Sequence, residues 1–135
     1  MSSKLYSAAV IGLDSELVEV EADISSGLPN FIVVGLPDTA VQESRERVRS
    51  AVKNSGLPFP GTRIAVNLAP GDVKKEGPAY DLPIAIAILL AEGALEAPGF
   101  DFEKSVFIGE LALNGELRGT SGVLPVALGA KARGI

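Results

Sequence analysis

The chain has 135 residues, with no cysteine, no histidine and no tryptophan. That inventory excludes zinc sites of the usual nitrogen and sulfur type, haem held by histidine, cysteine nucleophiles and Ser-His-Asp triads; Asp, Glu, Lys, Arg, Ser, Thr and Tyr are left for any chemistry. Twelve basic residues stand against seventeen acidic ones, a net charge of −5, which disfavours unspecific binding of nucleic acid or anionic membrane unless a local basic stripe does that work.

The start, Met1 to Tyr6, carries no apolar stretch of the kind that opens a signal peptide. Tyr6 to Leu13 is the first apolar run, closed by Gly12-Leu13-Asp14-Ser15. A hairpin joins it to Val18, Val20, Ala22 and Ile24, which alternate with Glu19, Glu21 and Asp23. That period of two marks a strand with one buried and one wet face. Phe31 to Val34 reads as a third strand, entered through Gly27-Leu28-Pro29-Asn30.

The period then changes. Thr39-x-x-Gln42 has the form of a capping box. Val41, Val48 and Val52 share one helical face, with Ser44 and Ala51 on its edge, and Gly56 and Pro58 stop the helix. Arg63 to Leu68 is a short strand with Ile64, Val66 and Leu68 on one side. Asp81 is expected to cap the next helix, with Pro83 in its first turn and Gly93 after its end. That helix, Leu82 to about Glu92, is apolar nearly all round and is expected to be the most buried element. Its run to Ala91 is about half the length of a bilayer crossing, so a soluble, cytoplasmic chain is expected. Ser105 to Leu113 is read as a strand turned at Asn114-Gly115, followed by a short strand at Glu116 to Arg118 and a helix from Pro125 to Arg133. The order βββαβαββα predicts an α/β (α+β) fold with a mixed sheet packed with helices.

No G-x-x-x-x-G-K-[ST] or G-x-G-x-x-G occurs, so this chain alone is not expected to hydrolyse ATP. Glu19, Glu21 and Asp23 sit about 7 Å apart along a strand, too wide for shared coordination; they read as a solvated face and no metal site is expected. Arg45, Arg49 and Lys53 form a basic stripe at i, i+4 and i+8. It suits phosphate or partner contact, or a wet helix flank balanced by Glu43–Arg47 and Glu46–Arg49 pairs. The segment from Pro70 to Asp81 is a long Gly/Pro loop between two buried elements, a place where function often sits. Lys74 and Lys75 are its candidate contacts.

Several segments together carry a resemblance. They are Tyr6 to Leu13; Val34-Gly35-Leu36-Pro37-Asp38 followed by Glu43 to Arg49; Asn67-Leu68-Ala69-Pro70; and Lys75-Glu76-Gly77-Pro78-Ala79-Tyr80-Asp81-Leu82-Pro83. In order and spacing the chain resembles the N-terminal domain of the magnesium-chelatase-like AAA+ family of the ComM/YifB type. The resemblance implies a fold like the proteolytic domain of Lon and the second domain of ribosomal protein S-five. It also implies that residues 1–135 are a single Lon-like N-terminal domain cut from a longer AAA+ protein. The ending Lys131-Ala132-Arg133-Gly134-Ile135, apolar just past a helix stop, fits that expectation.

Lon-type peptidases use a Ser-Lys dyad. The serine lies in a loop of the form D-G-P-S-A-G, and Glu76-Gly77-Pro78-Ala79-Tyr80-Asp81 occupies that stretch, so Ala79 stands where the nucleophile would be. The lysine follows a strand-turn-strand of the form G-E-I-x-L-x-G-x-V, matched here by Gly109 to Leu117; counting on without a gap puts Leu124 at its place. A methyl group cannot attack a carbonyl and leucine cannot act as a base. No catalytic residue is therefore expected. The resemblance implies a role in DNA processing and branch migration during natural transformation, with ATP and Mg bound by the missing AAA+ module. It also implies a ring homo-oligomer as the full-length protein, possible DNA contact and no membrane partner. Two alternatives stand beside it: a residual or rebuilt Lon-like peptidase using Ser121 or Lys131, and a metal-chelatase accessory subunit, against which the missing histidine weighs.

Overall fold

The computed structural model describes residues 1–135. β1 (Ser2–Ile11) and β2 (Asp14–Ser25) form a continuous antiparallel hairpin in which Ile11 faces Asp14 across a two-residue turn. Gly12 takes φ 61° there. A tight turn of this length needs a left-handed residue, and glycine adopts that conformation without strain. β3 (Asn30–Val34), α1 (Thr39–Asn54) and β4 (Arg63–Ala69) follow. β3 pairs parallel with β4, and α1 crosses between them. β2 pairs antiparallel with the other edge of β4, so the sheet order is β1-β2-β4-β3. α2 (Asp81–Glu92), a small hairpin of β5 (Glu110–Leu111) and β6 (Leu117–Arg118), and α3 (Val123–Ala132) complete the chain. The order is βββαβαββα and the class is α+β with a mixed sheet, as the periodicities predict.

The core lies on one face of the sheet. Val18, Val20 and Ala22 of β2 and Ile64, Val66 and Leu68 of β4 meet Val41, Val48 and Val52 of α1 and Ile84, Ala87 and Ile88 of α2, all buried in one cluster. Fully burying each larger aliphatic side chain contributes about 1.5–3 kcal/mol. The opposite face is wet: Lys4 pairs with Glu19 at 3.2 Å, and Asn67 donates to Glu21 at 3.1 Å. α2 needs no polar stripe because the sheet, α1 and the β5 segment surround it. Gly93 ends it at φ 81°, a left-handed cap.

Four local expectations are corrected. The cap of α1 is Asp38, one residue before Thr39: its Oδ1 accepts from Val41 N at 2.8 Å. A carboxylate there satisfies an orphan amide and also meets the positive end of the helix dipole. Asp81 does not cap α2 but lies in its first turn, with its carboxylate aimed inward. Of the strand expected over 105–113, only Glu110–Leu111 pairs with another strand. Phe107 makes a single backbone bond to Tyr6, and Gly109 is taken by Ala79 and Leu82 instead. α3 begins at Val123, and Pro125 sits in its first turn, where the missing N–H costs nothing.

Candidate functional site

The loop between β4 and α2 is held as if it were a further strand end. Lys75 N donates to Leu36 O at 3.0 Å, and Lys75 O accepts from Asp38 N at 3.0 Å. Asp38 adds a second tie, accepting from Gly77 N through Oδ2 at 3.1 Å. One carboxylate thus fixes both the start of α1 and the loop. Between this loop, the end of β1 and Gly119–Ser121 lies a cleft of about 1020 Å³.

Ala79 lines that cleft, as do Lys74, Tyr80 and Ser121. Leu124 does not line it; its side chain is 68% exposed on α3. Lys131 is exposed near the end of α3. Burial raises the Tyr80 phenol well above its ordinary pKa, with the charges of Asp38 and Glu76 adding to the effect.

Lys75 is corrected as a surface contact. Its side chain is fully buried, and its ammonium donates to Pro70 O. Desolvation pushes its pKa down, against a partial pull upward from Asp72 and Glu16. Lys74, its neighbour, is the exposed lysine of the pair. Adjacent residues in an extended stretch point to opposite sides, and only the tertiary packing decides which side is inside.

The basic stripe stays on one flank of α1. Arg45 is exposed and donates through Nε to Gln42 O at 3.0 Å. Arg49 holds its guanidinium 5.7 Å from the centre of the Phe59 ring, a cation–π distance. Lys53 is exposed in the last turn. Arg49 and Lys53 share a shallow depression with Phe31 and Phe59, while Arg45 and Arg49 line another with Glu43 and Glu46. Glu46 accepts from Ser50 rather than pairing with Arg49, and Arg47 lies 4.0 Å from Glu43.

One cluster escaped the sequence reading. Asp81, fully buried, accepts from Ser44 Oγ, from Arg47 Nε at 2.6 Å and from Leu111 N at 3.0 Å. Hydrogen bonding to Asp81 raises the Arg47 pKa despite partial desolvation. The signal available was Ser44 on the edge of an apolar helical face, a polar side chain that needs an inward partner.

A family model described as subunit ChlI of Mg-chelatase matches residues 20–135, from β2 through α3. The chain is 47% identical over 127 residues to the competence protein ComM of Haemophilus influenzae, covering 94% of this chain and 25% of that protein. It is 48% identical over 125 residues to the uncharacterized protein YifB of Escherichia coli, covering 93% and 24%. The chain belongs to this magnesium-chelatase-like family, of the ComM/YifB type. It spans about a quarter of the length of the curated relatives it matches. The family match takes in both core helices, the pinned loop and the cleft-lining segment before α3, but not the end of β1 that lines the same cleft. No helix is long and apolar enough to cross a membrane.

Proposed function

We propose that the chain is the non-catalytic N-terminal domain of a longer AAA+ ATPase that works on DNA, built on the scaffold of a Lon-type proteolytic domain whose peptidase has been lost. The observation that carries this reading is Ala79. The residue that the Lon resemblance puts at the nucleophile's place lines the cleft of about 1020 Å³ with a methyl group, where acyl transfer needs a hydroxyl beside a base. The Haemophilus relative is named a competence protein, which supports the DNA role. Its fourfold greater length leaves room for an ATPase module. In this reading ATP and Mg belong to that module, the full protein works as a cytoplasmic ring of identical subunits, and the exposed Arg45, Lys53 and Lys74 with the half-buried Arg49 are the cations that meet DNA or a partner.

The test is binding of a fluorescent branched DNA by the 135-residue chain across a salt series. An anisotropy rise at low salt that weakens with salt is expected, and removing one phosphate-contacting arginine lowers the log–log slope by about one. No rise even at low salt eliminates direct DNA contact and leaves contact with a protein partner. A second reading is a rebuilt peptidase, favoured by Ser121 lining the same cleft. It requires turnover of a fluorogenic peptide that falls in Ser121→Ala or Lys131→Ala; turnover at the blank level in long incubation eliminates it.

A further inference from the structure

β1 is an edge strand, and its outer side is open along part of its length. The two-residue turn makes Ile11 and Asp14 the closing pair of the hairpin, so the odd-numbered residues of β1 bond to β2 and the even-numbered ones face away. Tyr6 agrees: its carbonyl accepts from Phe107 N at 2.9 Å on the outer side. By the same two-residue period, the N–H and C=O groups of Ala8 and Val10 also face outward. No backbone bond outside the sheet reaches either residue.

Edge strands are normally protected by a lysine, a proline, a bulge or a covering element. Ala8-Ala9-Val10-Ile11 has no such residue, and its pairing with β2 is unbroken. These four residues instead form a wall of the cleft described above. The lining also includes Gly77 and Ala79, small residues that leave room for a backbone and its side chains. The lining is acidic on balance: Asp38, Asp72 and Glu76 stand against Lys74. Asp38 is occupied by Val41 N and Gly77 N, whereas Asp72 and Glu76 are exposed.

We propose that this cleft takes an extended segment of another polypeptide as an added strand on β1, bonded through the free backbone groups of Ala8 and Val10 and favoured by lysine or arginine side chains beside Asp72 and Glu76. Strand addition of this kind takes its affinity from main-chain bonds and its selectivity from flanking side chains. It needs no catalytic group, so it is compatible with a methyl at position 79. Its contacts are Ala8, Val10, Asp72 and Glu76, none of which the DNA reading uses, although Lys74 of that reading lines the same cleft.

The test uses the 135-residue chain and a fluorescein-labelled octapeptide of alternating valine and lysine. Saturable anisotropy is expected, with the amides of Ala8 and Val10 protected from hydrogen exchange in the complex. Replacing the peptide lysines with glutamate is expected to weaken binding about fivefold. N-methylating alternate peptide amides on the bonding edge is expected to weaken it about tenfold or more. Val10→Pro removes one outward donor and is expected to do the same; if that variant fails to fold, the N-methylated peptide decides alone. Absence of saturable binding at millimolar peptide overturns the proposal, as does equal binding by the N-methylated peptide. Self-association of the chain through β1 that the peptide does not compete also overturns it, because the edge would then serve a second copy.

Discussion

Arg47 Nε lies 2.6 Å from Asp81 Oδ2, and the two residues are 34 positions apart in the chain. The contact joins the first core helix to the second, and through Leu111 N it reaches the small β5–β6 hairpin as well. Asp81 is fully buried while Arg47 keeps partial contact with water. The carboxylate is thus desolvated on the strength of one guanidinium, one hydroxyl and one amide. Removing the guanidinium leaves a buried charge with too few donors. Arg47→Met is expected to destabilise the chain by about 3–5 kcal/mol, read as a drop in the urea midpoint. A loss below 1 kcal/mol would show that water reaches Asp81 in solution.

Asp38 has two jobs, and they can be separated. Asp38→Asn retains an acceptor for Val41 N but lowers the charge facing Gly77 N, whereas Asp38→Ala removes both ties. The alanine variant is expected to cost about 1–2 kcal/mol. Hydrogen exchange at Gly77 is expected to accelerate more than exchange in the middle of α1, since the loop loses a tie that the helix interior does not use. Equal acceleration at both places would mean that Asp38 only caps the helix.

Lys75 gives the pH dependence a definite sign. Its folded pKa lies below the ordinary 10.5 because burial penalises the ammonium. Between those two values the unfolded chain holds more protons, so this residue makes stability rise with pH and the rise ends above the unfolded value. Below the folded pKa its penalty is fully present. Tyr80 acts oppositely: its folded pKa is raised, so its contribution is complete below the ordinary 10.0 and is lost as pH climbs past it. Comparing the parent with Lys75→Met cancels Tyr80. The stability difference between them is expected to shift in favour of the parent as the solution approaches the ordinary lysine pKa, measured by urea unfolding across pH. A difference independent of pH would mean that the ammonium is hydrated.

Two glycines separate backbone strain from collision. Gly12 and Gly35 both have positive φ, 61° and 110°. A Cβ on Gly12 meets nothing within 4 Å, whereas one on Gly35 falls 2.0 Å from Leu68 O. Gly12→Ala is expected to cost about 1 kcal/mol from conformation alone. Gly35→Ala is expected to cost about 3 kcal/mol or more, because β3 must move away from β4. Thermal midpoints of the two variants check the order.

Ala79→Ser tests the proposal that a Lon-type nucleophile has been lost at position 79. The new hydroxyl would line the cleft, but Leu124 lies exposed on α3 and Lys75 is buried against Pro70 O. No peptide hydrolysis above blank is expected from the variant, measured with a fluorogenic substrate. Turnover would show that a base in the cleft reaches position 79.

The strands and helices were legible because their signals are local. Val18, Val20 and Ala22 alternate with acids, and Val41, Val48 and Val52 repeat at helical spacing; both patterns place their residues in the core as read. The Ser105–Leu113 strand was not legible in the same way. Its apolar residues suit a strand, but pairing beyond Glu110–Leu111 depends on where Ala79 and Leu82 capture Gly109. Lys74 and Lys75 looked equivalent in a polar loop, and Asp81 looked like an ordinary cap.

By itself, then, the sequence determined the order of elements, the wet and dry faces of β2 and α1, and the absence of a hydroxyl at position 79. Those follow from side-chain chemistry and from periods of 2 and 3.6, which neighbouring residues set among themselves. Only the tertiary structure decided that Lys75 is buried, that Asp81 binds Arg47, and that the outer edge of β1 opens into the cleft. Each of these depends on segments distant in the chain arriving at one place, and a polar group's environment is set by what packs against it rather than by its neighbours in sequence.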